Sequence, residues 1–472
     1  PLWAEQWPDV WLKAVKDSIR KTVAKSKVNP TDIKGIGISG LYGGSGIPVD
    51  EKMEPVRPAL IWMDRRAAEE TEWVKQNVNA NRLREITGND VVDPYYGYTK
   101  VLWIKNHEPE NWQRTKLFLP PNNYVIYKLT GKVSIDYSAA GNIGGFYDIN
   151  KGTWSKEMMD AMGVPVDKMP EKFVDATEIA GLITKEAAQE LGVPAGTPVI
   201  AGGIDVGAAN IGMGVFQPGR YVAAIGSSMN AALVSEEPIK GKGLIVWPYP
   251  YKSRQLVYNF SGSATAGAIT KWFRDNFGLL EKGVQESGGD NAYVTLGKEA
   301  HNVPAGSRGL VVLPYFMGER APVWNSNAKG LIFGLSLVHT KADIFHAFQE
   351  AVCYALRHSI ESTGRNLGDY IVIAGGVTNS PDWVQMFADV TGYAVRTPID
   401  DAEANLGDVM LAGLATGTLT VDEVQQWQVL GKKVEPRRAQ HEVYNHYYRL
   451  YRNLYNDLGS DMKDLSELTK IQ

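Results

Sequence analysis

The chain has 472 residues, 44% hydrophobic and 22% charged, with a formal net charge of −4. Such a composition is ordinary for a globular protein with sizeable cores, and at about 150 residues per domain the length fits two or three domains. The charge gives no general pull toward nucleic acid or an anionic membrane. A single cysteine, Cys353, excludes an internal disulfide and a cysteine-rich zinc site. This cysteine usage fits a reducing cytoplasm, and no run of about 18 apolar residues marks a spanning helix.

The chain opens at Pro1 without an initiator methionine. Val10, Leu12, Val15, Ile19 and Val23 fall at helical spacing and predict a helix over 7–25. Strands are expected at 35–39, 47–49 and 58–62, with a glycine-rich turn over 40–46. Helices should dominate 66–163, with loops at 88–94 and 141–145. A new strand is expected at 199–203, then a hinge over 212–219. Further strands follow at 221–225, 244–249, 255–260, 310–314, 370–374 and 394–398. Helices are expected at 265–277, 342–363, 383–391 and 405–418, and an aromatic-rich helical tail at 443–458. This alternation means α/β. A boundary near Phe216 divides the chain into an N-terminal domain, 1–216, and a C-terminal domain, 217–472. The cleft between such domains is the usual place for small-molecule chemistry.

Asp205 stands alone at a predicted strand end, after Gly202-Gly203-Ile204 and before Val206-Gly207-Ala208. A lone carboxylate with small neighbours suits a general base that takes a proton from a hydroxyl. The same residues are ordinary turn formers. In the second half three segments run from an apolar strand into small residues: Ile225-Gly226-Ser227-Ser228, Ser261-Gly262-Ser263-Ala264-Thr265-Ala266-Gly267, and Ala374-Gly375-Gly376-Val377-Thr378-Asn379-Ser380. Glycine exposes backbone N–H groups to an anion, and hydroxyls and helix N-termini add to that. Singly, each reads as a turn; together, opposite Asp205, they suit a polyphosphate. No GxxxxGK[ST] occurs, and no sound GxGxxG with a following acidic residue, which tells against a dehydrogenase.

Taken with these features, three longer segments resemble the FGGY family of carbohydrate kinases, within the actin-like ATPase superfamily. The match extends over essentially the whole chain. Tyr95-Tyr96-Gly97-Tyr98-Thr99-Lys100-Val101-Leu102-Trp103 is similar to the family's first signature, departing at Gly97. Gly330-Leu331-Ile332-Phe333-Gly334-Leu335, with Asp343 and Ala347-Phe348-Gln349-Glu350, is similar to the second, off-pattern at Phe348 and Gln349. Leu313-Pro314-Tyr315 with Gly318-Glu319-Arg320-Ala321-Pro322 resembles the family's LPY..GER.P segment.

The resemblance implies two actin-like (ribonuclease H-like) ATPase domains around a central cleft. It implies transfer of the γ-phosphate of ATP, with Mg²⁺, to a hydroxyl of a small sugar or polyol; a pentulose such as xylulose or ribulose is favoured. Asp205 becomes the catalytic base and a substrate contact. Gly226, Ser227 and Ser228 become a phosphate loop, Gly267 and Lys271 a helix end lining the nucleotide, and Gly375, Gly376 and Ser380 an adenosine loop. Trp62, Asp64 and Tyr95 are placed at the sugar, although Trp62 and Tyr95 also read as core. No residue is assigned as a metal ligand. Leu41-Tyr42-Gly43 stands where xylulose kinases carry Gln-Met-His and glycerol kinases an Arg-Glu pair, so the residues that would name the sugar depart from pattern. The implied partners are the sugar and ATP/ADP, with a homodimer as a family-level expectation. The family also begins with a strand, a phosphate-binding hairpin and a second strand, about 15 to 25 residues, expected ahead of Trp3. The alternative is a non-catalytic sugar or nucleotide sensor on the same scaffold, which would need no base at Asp205.

Overall fold

Proline in the first helical turn and a left-handed Lys27 at the end bound helix α1 (Pro8–Ser26), close to the expected 7–25. The structure, a computed structural model, describes residues 3–41, 43–399 and 404–468. Tyr42 of the substrate-loop expectation lies outside the described residues.

In the first half the expected strand at 35–39 is extended chain. Ile36 bridges Val199 and Gly40 bridges Ile204, both in parallel. Ile47–Val49 pairs antiparallel with Leu117–Leu119. Helix α2 (Gly97–His107) lies between these strands in the chain, and α3 (Tyr137–Ile143) follows them. The loop expected at 141–145 is thus shorter, because α3 continues to Ile143 and stops only where Gly144 takes φ 92°. Helix α4 (Asp205–Gly212) starts where the second parallel segment ends.

The second half is built on one six-stranded sheet of β1 (Tyr221–Ile225), β2 (Met229–Ser235), β3 (Ile245–Pro248), β4 (Val257–Ser261), β5 (Ile371–Ala374) and β6 (Val395–Arg396). Their order is β3-β4-β2-β1-β5-β6, with β1, β5 and β6 parallel. Side chains alternate between two cores with the period of two that a strand imposes. Tyr221, Ala223, Ile225, Ile371 and Ile373 join one cluster, with Phe273 of α5 (Gly267–Phe277) and Phe348. Val222, Val372, Ala374, Trp247, Tyr258 and Phe260 join the other, which also holds Tyr96 and Trp103 of α2 and Ile143 of α3. The two halves therefore share a core. Helix α6 (Ala404–Ala415) returns to lie against α4.

Candidate functional site

Ala224 of β1 stands opposite Ala374 of β5 in a parallel pair. Both strands therefore release their following loops at one end of the sheet. The β5 loop folds back at Gly375, with φ 95°, where a Cβ would stand 2.4 Å from the Ile225 carbonyl oxygen; only glycine fits. Gly226 and Gly376 are exposed, with open space at the Cβ position. The α5 start is tied to the first loop: Gly267 N–H donates to Gly226 O (2.8 Å), and Ala266 and Ala268 N–H donate to Ser227 O (2.9 and 3.1 Å). The structure thus brings Gly226, Ser227, Ser228, Gly267, Gly375 and Gly376 together. Lys271 is exposed one turn into α5. Ser380 caps helix Pro381–Thr391, its Oγ accepting from Trp383 N–H.

Glu319, of the Gly318-Glu319-Arg320 motif, underpins this surface. It accepts from Ser263 Oγ (2.6 Å), Ala264 N–H (2.9 Å) and Arg320 N–H (2.8 Å). Burial pushes its carboxyl up to about 7.

In the first half, Gly43 sits against Tyr95 and Trp62: a Cβ there would stand 2.9 Å from the Tyr95 ring and 3.1 Å from Trp62 Cβ. Its N–H donates to Asn142 Oδ1 (2.6 Å). Lys100, fully buried, donates to the carbonyls of Gly43 (2.8 Å), Pro94 (2.6 Å) and Tyr95 (2.6 Å). Burial pushes its ammonium well below the usual lysine value. Lys100 therefore ties together the two segments bearing Gly43 and Tyr95, a role that its place in the sequence motif did not show. Trp62 is half-buried, whereas Tyr95 is 1% exposed.

Asp64 requires a correction. It is completely buried, and both its oxygens are taken by Arg66 Nε (3.0 and 2.9 Å), with Arg66 Nη2 (2.8 Å) and Ala4 N–H (2.6 Å) on Oδ2. Arg66 also pairs with Glu5 and lies 3.9 Å over the Trp3 ring. With its lone pairs spent on this network, Asp64 supports the Trp62 segment rather than facing a ligand.

Asp205 is the first residue of α4. Its N–H donates to Gly40 O (2.9 Å), and Gly40 N–H donates to Gly203 O (2.9 Å), which fixes the strand ends beside it. Oδ1 accepts from the neighbouring Val206 N–H (2.7 Å). Burial pushes its carboxyl up to about 7, with the nearby Asp408 carboxylate adding to the rise. A half-buried carboxyl poised near neutrality, with few partners, fits the demands on a general base.

Among the described residues no group of three or more His, Cys, Asp or Glu side chains is gathered to hold a metal ion, and no helix is long and apolar enough to cross a membrane.

The model of the FGGY family of carbohydrate kinases, N-terminal domain, matches residues 1–212, and that of its C-terminal domain matches residues 222–416. The chain belongs to the FGGY family of carbohydrate kinases. It is similar to a xylulose kinase of Bacillus subtilis, 28% identical over 98% of this chain and 91% of that one. It is also similar to a gluconokinase of Bacillus subtilis, 28% identical over 82% of this chain and 75% of that one. The crystal structure of a xylulose kinase from Rhodospirillum rubrum superposes with a TM-score of 0.87 at 27% identity, covering 98% of this chain and 92% of that one.

Proposed function

We propose that the chain transfers the γ-phosphoryl group of ATP to a hydroxyl of a small sugar or polyol, with a pentulose as the favoured acceptor. The observation that carries this reading is the placement of Asp205. A carboxyl held near neutrality opens the helix that leads from one half of the chain to the other. Asp205 is assigned as the general base, accepting the acceptor's hydroxyl proton as that oxygen bonds to phosphorus. Positioning and charge neutralisation supply most of such a reaction.

The residues present fit a nucleotide. The open Cβ positions of Gly226 and Gly376 leave backbone exposed where phosphates would approach, and the hydroxyls of Ser227 and Ser228 and the Lys271 ammonium add donors. Gly375, Gly376 and Ser380 are assigned to the adenosine. Mg²⁺ binds such sites largely through phosphate oxygens and water, which suits a site without a carboxylate cluster; it would supply neutralisation of phosphate charge. Trp62 offers the sugar an apolar ring face and an N–H, and Tyr95 stands behind it. The division at Phe216 and the ribonuclease H-like character of both domains belong to the same reading.

The test is a coupled ADP-release assay across ketoses, aldonates and polyols. Sugar-stimulated turnover that Asp205→Asn abolishes is the expected result. Tight sugar or nucleotide binding without turnover would replace the kinase reading with that of a sensor.

A further inference from the structure

Helix α6 carries one charged residue among its twelve, Asp408, and places it where three backbones meet. A Cβ on Gly407 would stand 1.8 Å from Ala208 O of α4, so the two helices touch there. A Cβ on Gly37 would stand 2.4 Å from Asp408 O, so the 36–40 segment touches α6 as well. Asp408 is 9% exposed in this junction. Its Oδ2 accepts from Ser39 N–H (3.1 Å) and Ser39 Oγ (2.8 Å). Its Oδ1 is buried without a hydrogen-bond partner. Ser39 precedes Gly40, whose carbonyl holds the Asp205 amide. A buried carboxyl with one oxygen unmatched is costly, and neither packing nor capping of α6 calls for it.

We propose that Asp408 is a positioning residue for Asp205: it fixes the Ser39–Gly40 segment that holds the Asp205 backbone, and its charge biases whether Asp205 keeps a proton. This rests on the reading of Asp205 as the base. The two carboxyls then titrate as an interacting pair, not as independent groups. Burial pushes both carboxyls up, Asp408 to about 6 and Asp205 to about 7, and the Asp408 charge adds to the rise at Asp205. A base near neutrality combines availability with driving force for proton transfer.

The surroundings leave few rivals for this effect. From the 36–40 segment the neighbour is Ser39. From α3 it is the Ser138 hydroxyl, which accepts from Ile204 N–H and donates to Asp136, so Asp136 lies one hydroxyl behind. Pro250 packs over Gly203 and Gly207. Among the described residues Asp408 is the charged side chain whose field acts on Asp205.

The experiment follows the carboxyl carbons of aspartate-labelled protein by NMR during a pH titration, alongside the pH profile of kcat/KM. In Asp408→Asn the Asp205 midpoint should fall by about half a unit or more, and the acid limb of kcat/KM should fall with it. In Asp205→Asn the Asp408 carboxyl should titrate in a single step, because its partner no longer titrates beside it. That variant keeps the test alive if Asp408→Asn does not fold. Ser39→Ala, which keeps the charge, should move the midpoint less while changing kcat. An unmoved Asp205 midpoint in folded Asp408→Asn, or an Asp408 titration still in two steps in Asp205→Asn, would overturn the proposal. The NMR titration does not depend on turnover. A protein with coupled carboxyls and no sugar kinase activity would retain the pairing and refute the base.

Discussion

The amide of Gly267 donates to Gly226 O at 2.8 Å, and a Cβ on Gly267 would stand 2.6 Å from that same oxygen. Gly226 itself has open space at its Cβ position. The two glycines should therefore respond differently to substitution. Gly267→Val must push the loop off α5 and should cost about 1–3 kcal/mol, seen as a lower Tm. Gly226→Val should leave Tm nearly unchanged yet raise the KM for nucleotide about tenfold, because the new side chain occupies space assigned to phosphate. An unchanged nucleotide KM would remove this loop from the site.

Asp205→Asn should lower kcat by about 10²–10⁴, the usual contribution of a positioned base. In the native protein the acid limb of kcat/KM should have its midpoint near pH 7, since the ionised form accepts the proton and the carboxyl sits at about 7. A flat profile between pH 5 and 8, read by ADP release, would argue against Asp205 in that role.

The same carboxyl makes a prediction about stability with the opposite sign to its catalytic value. Its folded value of about 7 lies above the ordinary 3.8. Between those values the native state binds more protons than the unfolded chain, so stability falls as pH rises through that window. Asp205→Asn removes the buried charge. Thermal melts should place the variant above the native protein at pH 8, with the gap closing toward pH 4.

Lys100→Met should strip the buried carbonyls of Gly43 and Tyr95 and the half-buried carbonyl of Pro94 of their donor at once. Unmatched buried acceptors cost about 1–3 kcal/mol each, so denaturant melts should show a loss of roughly 3 kcal/mol or more. Because the same ammonium ties Gly43 to the Tyr95 segment, sugar KM should rise more than nucleotide KM.

Strongly patterned elements were legible in the sequence, and weakly patterned ones were not. Tyr221–Ile225 and Ile371–Ala374 are short apolar runs closed by glycine, and both expected strands appear within a residue of their limits. Met229–Ser235 is central to the sheet but carries no strand pattern: Asn230, Ala231 and Ala232 are poor strand formers, and pairing with β1 and β4 overrides their preference. The helices Leu279–Glu286 and Ala292–Ala300 are masked in the sequence by the glycines within and around them. For the site, motif residues pointed to the glycine loops, but support is a matter of tertiary contact. Asp64 looked available because it follows Trp62, yet Arg66 claims both its oxygens. Asp408 left one usable signal, a lone acid in a helix of small and apolar residues, and Glu319 none beyond its motif.

The shared core has a consequence for folding. Trp247, Tyr258 and Phe260 on one face of the sheet lie in the same cluster as Tyr96, Trp103 and Ile143 from the first half. Neither half would keep that face dry by itself. Cutting the chain near Phe216 would not release two self-sufficient pieces: the C-terminal fragment would present an aromatic wall to water and aggregate. The intact chain should melt in one calorimetric transition, and limited proteolysis should nick surface loops without liberating a stable half.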